Sequence, residues 1–127
     1  MKGRRATLAL LVGAATLAGC FEERPRPGPP RITFSLDKTQ VRSSTAAPDT
    51  LAGTVRVADT DGIDSLWVTV DGAVSGVDGL FHQAFNSRFR FAIGAGIGAG
   101  THLDVEFRAR DIGGFETMRD TFVVVVP

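Results

Sequence analysis

Asp59, Asp61, Asp64 and Asp111 are the most concentrated set of hard oxygen donors in this chain. Three of them fall within one short segment, Asp59-Thr60-Asp61-Gly62-Ile63-Asp64. Calcium takes six to eight oxygen ligands, so carboxylates grouped in this way are calcium candidates. The segment lacks the remaining ligand positions and the distal glutamate of an EF-hand loop. Aspartate is also an ordinary turn residue that caps its own backbone, and both readings stand at this point. His82 and His102 are isolated, with no ligand spacing around them. Ser43, Ser44 and the other hydroxyls have no local signature of an activated nucleophile. No pair of carboxylates can be assigned to hydrolysis, and the chain reads as non-enzymatic. With one cysteine, Cys20, no intramolecular disulfide can form.

The elements that carry these residues begin with a leader. Lys2, Arg4 and Arg5 make a positive start, Thr7 to Leu17 an apolar run, and Ala18-Gly19 a small-residue close. The run falls short of the about 20 apolar residues a membrane-spanning helix needs. Leu17-Ala18-Gly19-Cys20 resembles the lipobox of bacterial lipoproteins. The resemblance covers residues 1–20. It implies acylation of the Cys20 thiol, cleavage before it, and acylation of the new amino terminus. Small residues fit the peptidase cleft and cysteine supplies the nucleophile. The competing reading is an ordinary secretion signal with a chance cysteine. Arg4-Arg5 is a paired arginine, but the residues after it lack the rest of the twin-arginine pattern, which favours the general secretory route. Each buried CH₂ contributes about 0.8 kcal/mol, so durable anchoring takes more than one acyl chain, which a multiply acylated Cys20 provides. Phe21 stands where an aspartate would favour inner-membrane retention in this class, so the resemblance implies the outer membrane.

Residues 20–31 read as a lipidated cysteine followed by a tether. Phe21 to Arg31, FEERPRPGPPR, holds four prolines, which oppose helix and sheet ladder alike. Extended polyproline II at about 3.1 Å per residue spans roughly 30 Å, enough to clear the headgroups. A ligand for a proline-reading domain is the functional alternative to this spacer.

Residues 32–127 form the expected domain, and its period is two. Leu66, Val68 and Val70 alternate with Trp67 and Thr69; Leu103, Val105, Phe107 and Ala109 alternate with Asp104, Glu106 and Arg108. Strands are expected near 32–37, 50–58, 63–71, 79–85, 88–93, 102–110 and 117–126. Asp-Gly steps at 61–62, 71–72 and 78–79 and the 111–114 cluster punctuate them. Ile93 to Gly100, IGAGIGAG, reads as a glycine-rich crossover; no helix follows it to build a phosphate cradle.

This pattern resembles an antiparallel immunoglobulin-like β-sandwich of about seven strands. Residues 57–70 are similar to the B–C corner of bacterial immunoglobulin-like repeats, and Phe107-Arg108-Ala109-Arg110-Asp111 through Gly114 to their F–G corner. The chain departs from the family in having no tyrosine, hence no tyrosine corner, and no cysteine pair. Trp67 is out of phase with the buried strand residues. Another sandwich or a small barrel is the alternative. In the immunoglobulin arrangement both corners share one end, which implies that the four aspartates converge there.

Trp67 and Arg108 project outward. Placing Phe122, Val124 and Val126 inward leaves Val123 and Val125 outward, beside Trp67, as an apolar partner-binding patch. Alternatively, Trp67 lies under a loop or hairpin such as Ala73 to Gly79. Without the leader, the chain keeps 11 of its 14 basic side chains against 14 acidic ones, a net −3 that gives no electrostatic reason to bind nucleic acid. Arg88, Arg90, Arg108 and Arg110 are expected on solvated strand faces. The sequence thus points to a lipid-anchored envelope module that contacts a protein or a polysaccharide. The alternatives are a calcium- or carbohydrate-binding module, and a small enzyme or enzyme inhibitor. The implied covalent group is the lipid on Cys20; no other cofactor is expected, with calcium the open case.

Overall fold

The computed structural model describes residues 28–127. The expected signal peptide 1–19, the lipobox-like Leu17-Ala18-Gly19-Cys20 and the expected tether as far as residue 27 lie outside the described residues. Six strands follow: β1 (Arg31–Leu36), β2 (Gln40–Arg42), β3 (Thr50–Val70), β4 (Ala73–Ala92), β5 (His102–Asp111) and β6 (Glu116–Val126). They form one sheet in the order β1-β3-β5-β6-β2, with β4 also paired to β3.

The organising element is the β3–β4 ribbon. β3 carries two apolar stripes, Leu51-Val55-Val57 and Leu66-Val68-Val70, all buried. Between them lies an irregularity from Ala58 to Ile63, where Gly62 adopts φ +98°. Such a kink lets one strand serve two neighbours. Residues 53–58 pair with β1, residues 63–70 pair with β5, and β4 follows both halves. The expected strands at 50–58 and 63–71 are therefore one bent strand, and 79–85 and 88–93 belong to one β4 that starts at Ala73.

The sheet curls so that β1 packs against β5 and β6. Phe34 of β1 stacks on Phe107 of β5 with ring centroids 4.5 Å apart, although the two strands are not hydrogen-bonded neighbours. Phe89 of β4 meets Phe107 edge-on at 5.5 Å. Phe107 is fully buried, and a buried aromatic of this size contributes about 2–3 kcal/mol. Gly53 makes room for the arrangement: a Cβ there would strike the Ser35 carbonyl and lie 2.7 Å from Phe89 Cζ. Arg119 closes the seam between β6 and β1. Its guanidinium sits 5.9 Å from the Phe34 ring, and it donates to the Ile32 carbonyl at 3.4 Å.

Three expectations need correction. The sheet is mixed rather than wholly antiparallel, because β2 runs parallel to β6 with Val41 opposite Val125. Val123 and Val125 point inward, with 0% and 1% of their surface exposed, while Phe122 is 51% exposed. The β5–β6 register places Leu103 opposite Val123 and Asp104 opposite Phe122, and directly opposed residues share a face. A run of four valines carries no polar residue to fix its phase, and a one-residue slip exchanges the faces. Asp64 does not join the other three aspartates; its Oδ2 accepts from Ser65 Oγ at 2.7 Å.

Candidate functional site

Two regions gather the chemically distinctive residues. The first is an acidic cluster where the β3 kink meets the β5–β6 turn. Ile63 pairs with Asp111, so the end of β5 lies against the kink, and the Ile112 amide donates to the Gly62 carbonyl at 3.1 Å. Among the described residues, Asp59, Asp61 and Asp111 each offer a carboxylate oxygen, and these lie within 4.8 Å of one another. Asp59 is half-buried, Asp61 exposed and Asp111 buried.

Two of the three carboxylates are fixed by backbone donors. Asp59 Oδ1 accepts from the Asp61 amide at 2.7 Å, and Asp111 Oδ1 accepts from the Phe115 amide at 2.8 Å. The turn-capping role is therefore real, with Gly114 at φ +88° completing the β5–β6 turn. It uses one oxygen of each. Asp111 Oδ2 is buried with no hydrogen-bond partner. Burial raises the Asp59 carboxyl above its ordinary range; the Asp61 amide opposes this, and the neighbouring Asp111 and Asp61 charges add to it. A groove of about 490 Å³ lined by Pro29, Arg31, Thr60 and Gln83 opens beside Asp59.

The second region is the outward face of the sheet. One row runs Gly76-Trp67-Arg108-Met118 across β4, β3, β5 and β6. Trp67 is half-buried, with the Arg110 guanidinium 5.7 Å from its ring centroid. Arg108 approaches Glu106 at 3.5 Å. Val74, Met118 and Phe122 add exposed apolar surface, and His102 stacks on Phe122 at 4.4 Å. Trp67, Thr69, Val74, Glu106 and Arg108 line a shallow groove. Trp67 and Arg108 thus share the outward face expected of them, while Val123 and Val125 do not. The Ala73 to Gly79 segment expected to cover Trp67 is the start of β4, and the indole rests over its Gly76. Sequence reasoning missed Val74, Arg110, Met118 and Phe122. The pairing of Arg110 with Glu116 and Arg108 with Met118 needs the β5–β6 register, which no local pattern supplies.

His82 and His102 are exposed. Neither falls in the carboxylate cluster.

No protein-family model and no curated protein matches the chain. Among solved structures it is similar to Spo0M, a sporulation control protein from Bacillus subtilis, at 13% identity and a TM-score of 0.54. The match covers 79% of this chain and 50% of that one, so the chain spans about half the length of Spo0M. At this identity the likeness concerns the fold.

Proposed function

We propose that the protein is a lipid-anchored lipoprotein of the bacterial cell envelope whose immunoglobulin-like domain is a non-catalytic interaction module. The observation that carries the interaction role is the Trp67-Arg108-Met118 row. It joins a half-covered tryptophan, an arginine and exposed apolar side chains on one sheet face, the composition that anchors protein contacts. Anchoring rests on Leu17-Ala18-Gly19-Cys20 after a charged and apolar leader. Phe21 in place of aspartate favours the outer membrane.

Strand pairing supports the immunoglobulin-like reading. β1, the first half of β3 and the second half of β4 form one group. The first half of β4, the second half of β3, β5, β6 and β2 form the other. This resembles the A-B-E and C′-C-F-G grouping of such sandwiches. The chain enters this domain at Pro30, whose carbonyl accepts from Thr117 Oγ1 at 2.6 Å, so the tether leaves beside β6.

Two experiments test the reading. Metabolic labelling with a fatty acid should mark the wild-type protein and not Cys20→Ser; equal labelling, or unchanged membrane fractionation of the variant, removes the anchor. Cross-linking in intact cells should recover an envelope protein or polymer with the wild type. Trp67→Ala should lower that recovery about tenfold, as expected for an interface anchor, with melting behaviour retained. Undiminished recovery with Trp67→Ala moves the interaction off this face.

A further inference from the structure

We propose that Asp59, Asp61 and Asp111 bind a calcium ion between the β3 kink and the β5–β6 turn. The starting observation is Asp111. Its side chain is 1% exposed, one oxygen is held by the Phe115 amide, and the other, Oδ2, has no donor. A buried carboxylate oxygen without a partner is strongly unfavourable unless a positive group meets it. The neighbouring ionisable groups in the cluster are Asp59 and Asp61, which are acceptors when ionised. Three carboxylates facing one another repel, and a divalent cation converts that repulsion into attraction.

Donor type points to a hard cation, and the spacing admits one. All three ligands are carboxylates, and among the described residues no histidine joins them, which favours a hard cation. Two oxygens sharing an ion at about 2.4 Å can be no more than about 4.8 Å apart, the limit within which all three oxygens lie. Magnesium demands stricter octahedral order and gives up its waters reluctantly, so a set of carboxylates open to solvent on one side suits calcium better. The site is also partly organised in advance. The Asp61 amide fixes Asp59 and the Phe115 amide fixes Asp111, as outer-shell donors orient ligands at metal centres. The ligands grade from the buried Asp111 through Asp59 to the exposed Asp61, which leaves a route for the ion and room for water to complete its shell. Three protein carboxylates among six to eight ligands place the affinity in the range of extracellular modules, about 10⁻⁴–10⁻³ M.

The test uses the purified full chain, calcium chloride as probe and magnesium chloride as comparison. Calorimetry should give a saturable signal for calcium, and about 10 mM calcium should raise the melting temperature by several degrees, magnesium by much less. Asp61→Asn, at an exposed position, should weaken calcium binding about tenfold and leave the metal-free melting temperature no lower than that of the wild type, since one of the three repelling charges is gone. Asp111→Asn should abolish the calcium response. Absence of heat and of a melting shift with the wild type overturns the site. So does a calcium response that survives intact in both variants. A wild-type melting temperature that falls with rising pH yet ignores calcium assigns the place to a shared proton and equally overturns it.

Discussion

Trp67 lies directly over Gly76, so closely that a Cβ on residue 76 would stand 2.7 Å from the indole Cδ1 and 3.2 Å from Nε1. The two residues are cross-strand partners on β3 and β4, and the missing side chain of one is the seat of the other. This explains how a large aromatic on the outward face becomes half-buried. Gly76→Ala should lift the ring. Trp67 is the one tryptophan, so its emission should move to the red. Stability should fall by about 1 kcal/mol, at the low end of overpacking costs because the ring can swing toward solvent. An unshifted spectrum would mean the indole does not rest there.

The aromatic stack inside the curled sheet should dominate stability. Phe107 touches both Phe34 and Phe89 from a fully buried position. Phe107→Ala should cost about 3–5 kcal/mol in urea denaturation. Phe34→Ala should cost less, since Phe34 is only partly buried.

The phase of β6 is open to a paired substitution. Val123→Asp puts a charge beside Leu103 in the core and should prevent folding or cost more than about 4 kcal/mol. Phe122→Lys, one residue away, should stay within about 1 kcal/mol of the wild type, because that side chain is half in water and stands opposite Asp104. Circular dichroism melts of the two variants decide the register. Equal damage from both would refute it.

Asp49 should contribute to acid sensitivity. The Lys38 ammonium, hydrogen-bonded to its carboxylate, and the Arg42 amide hold its pKa at about 2, below the ordinary 3.8, against the opposing effect of burial. A folded-state pKa below the unfolded one gives stability that is present above about pH 4 and lost as the pH falls toward 2. Asp49→Asn should therefore be less stable than the wild type near neutrality. The gap should narrow from pH 4 downward in thermal melts. Added salt should weaken the Lys38 part and spare the bonds from the Arg42 and Thr50 amides.

Strand identity was legible wherever polar residues interrupt the apolar ones. Leu66-Val68-Val70 and Leu103-Val105-Phe107-Ala109 are buried as their alternation requires, and Trp67 and Arg108 face outward. Residues 93–101 lie outside any strand, as their glycines suggest. Residues 73–78 read as a loop or hairpin because Asp-Gly steps flank them at 71–72 and 78–79 and the stretch has no clear period; they are instead the start of β4. Asp59 to Gly62 resembled a chain break because aspartate and glycine mark turns. The backbone instead absorbs them as a kink within a hydrogen-bonded ribbon.

By itself, the sequence determined the local period and the residue types, and so the all-strand character of the described residues and the outward Trp67 and Arg108. Tertiary structure alone decided that β2 lies parallel to β6, that Val123 rather than Phe122 enters the core, and that Asp111 meets Asp59 and Asp61 while Asp64 stays apart. Alternation is a property of neighbouring residues. The choice of edge, register and opposing turn depends on contacts between segments far apart in the chain, where the packing of Phe34 on Phe107 fixes what no short stretch can encode.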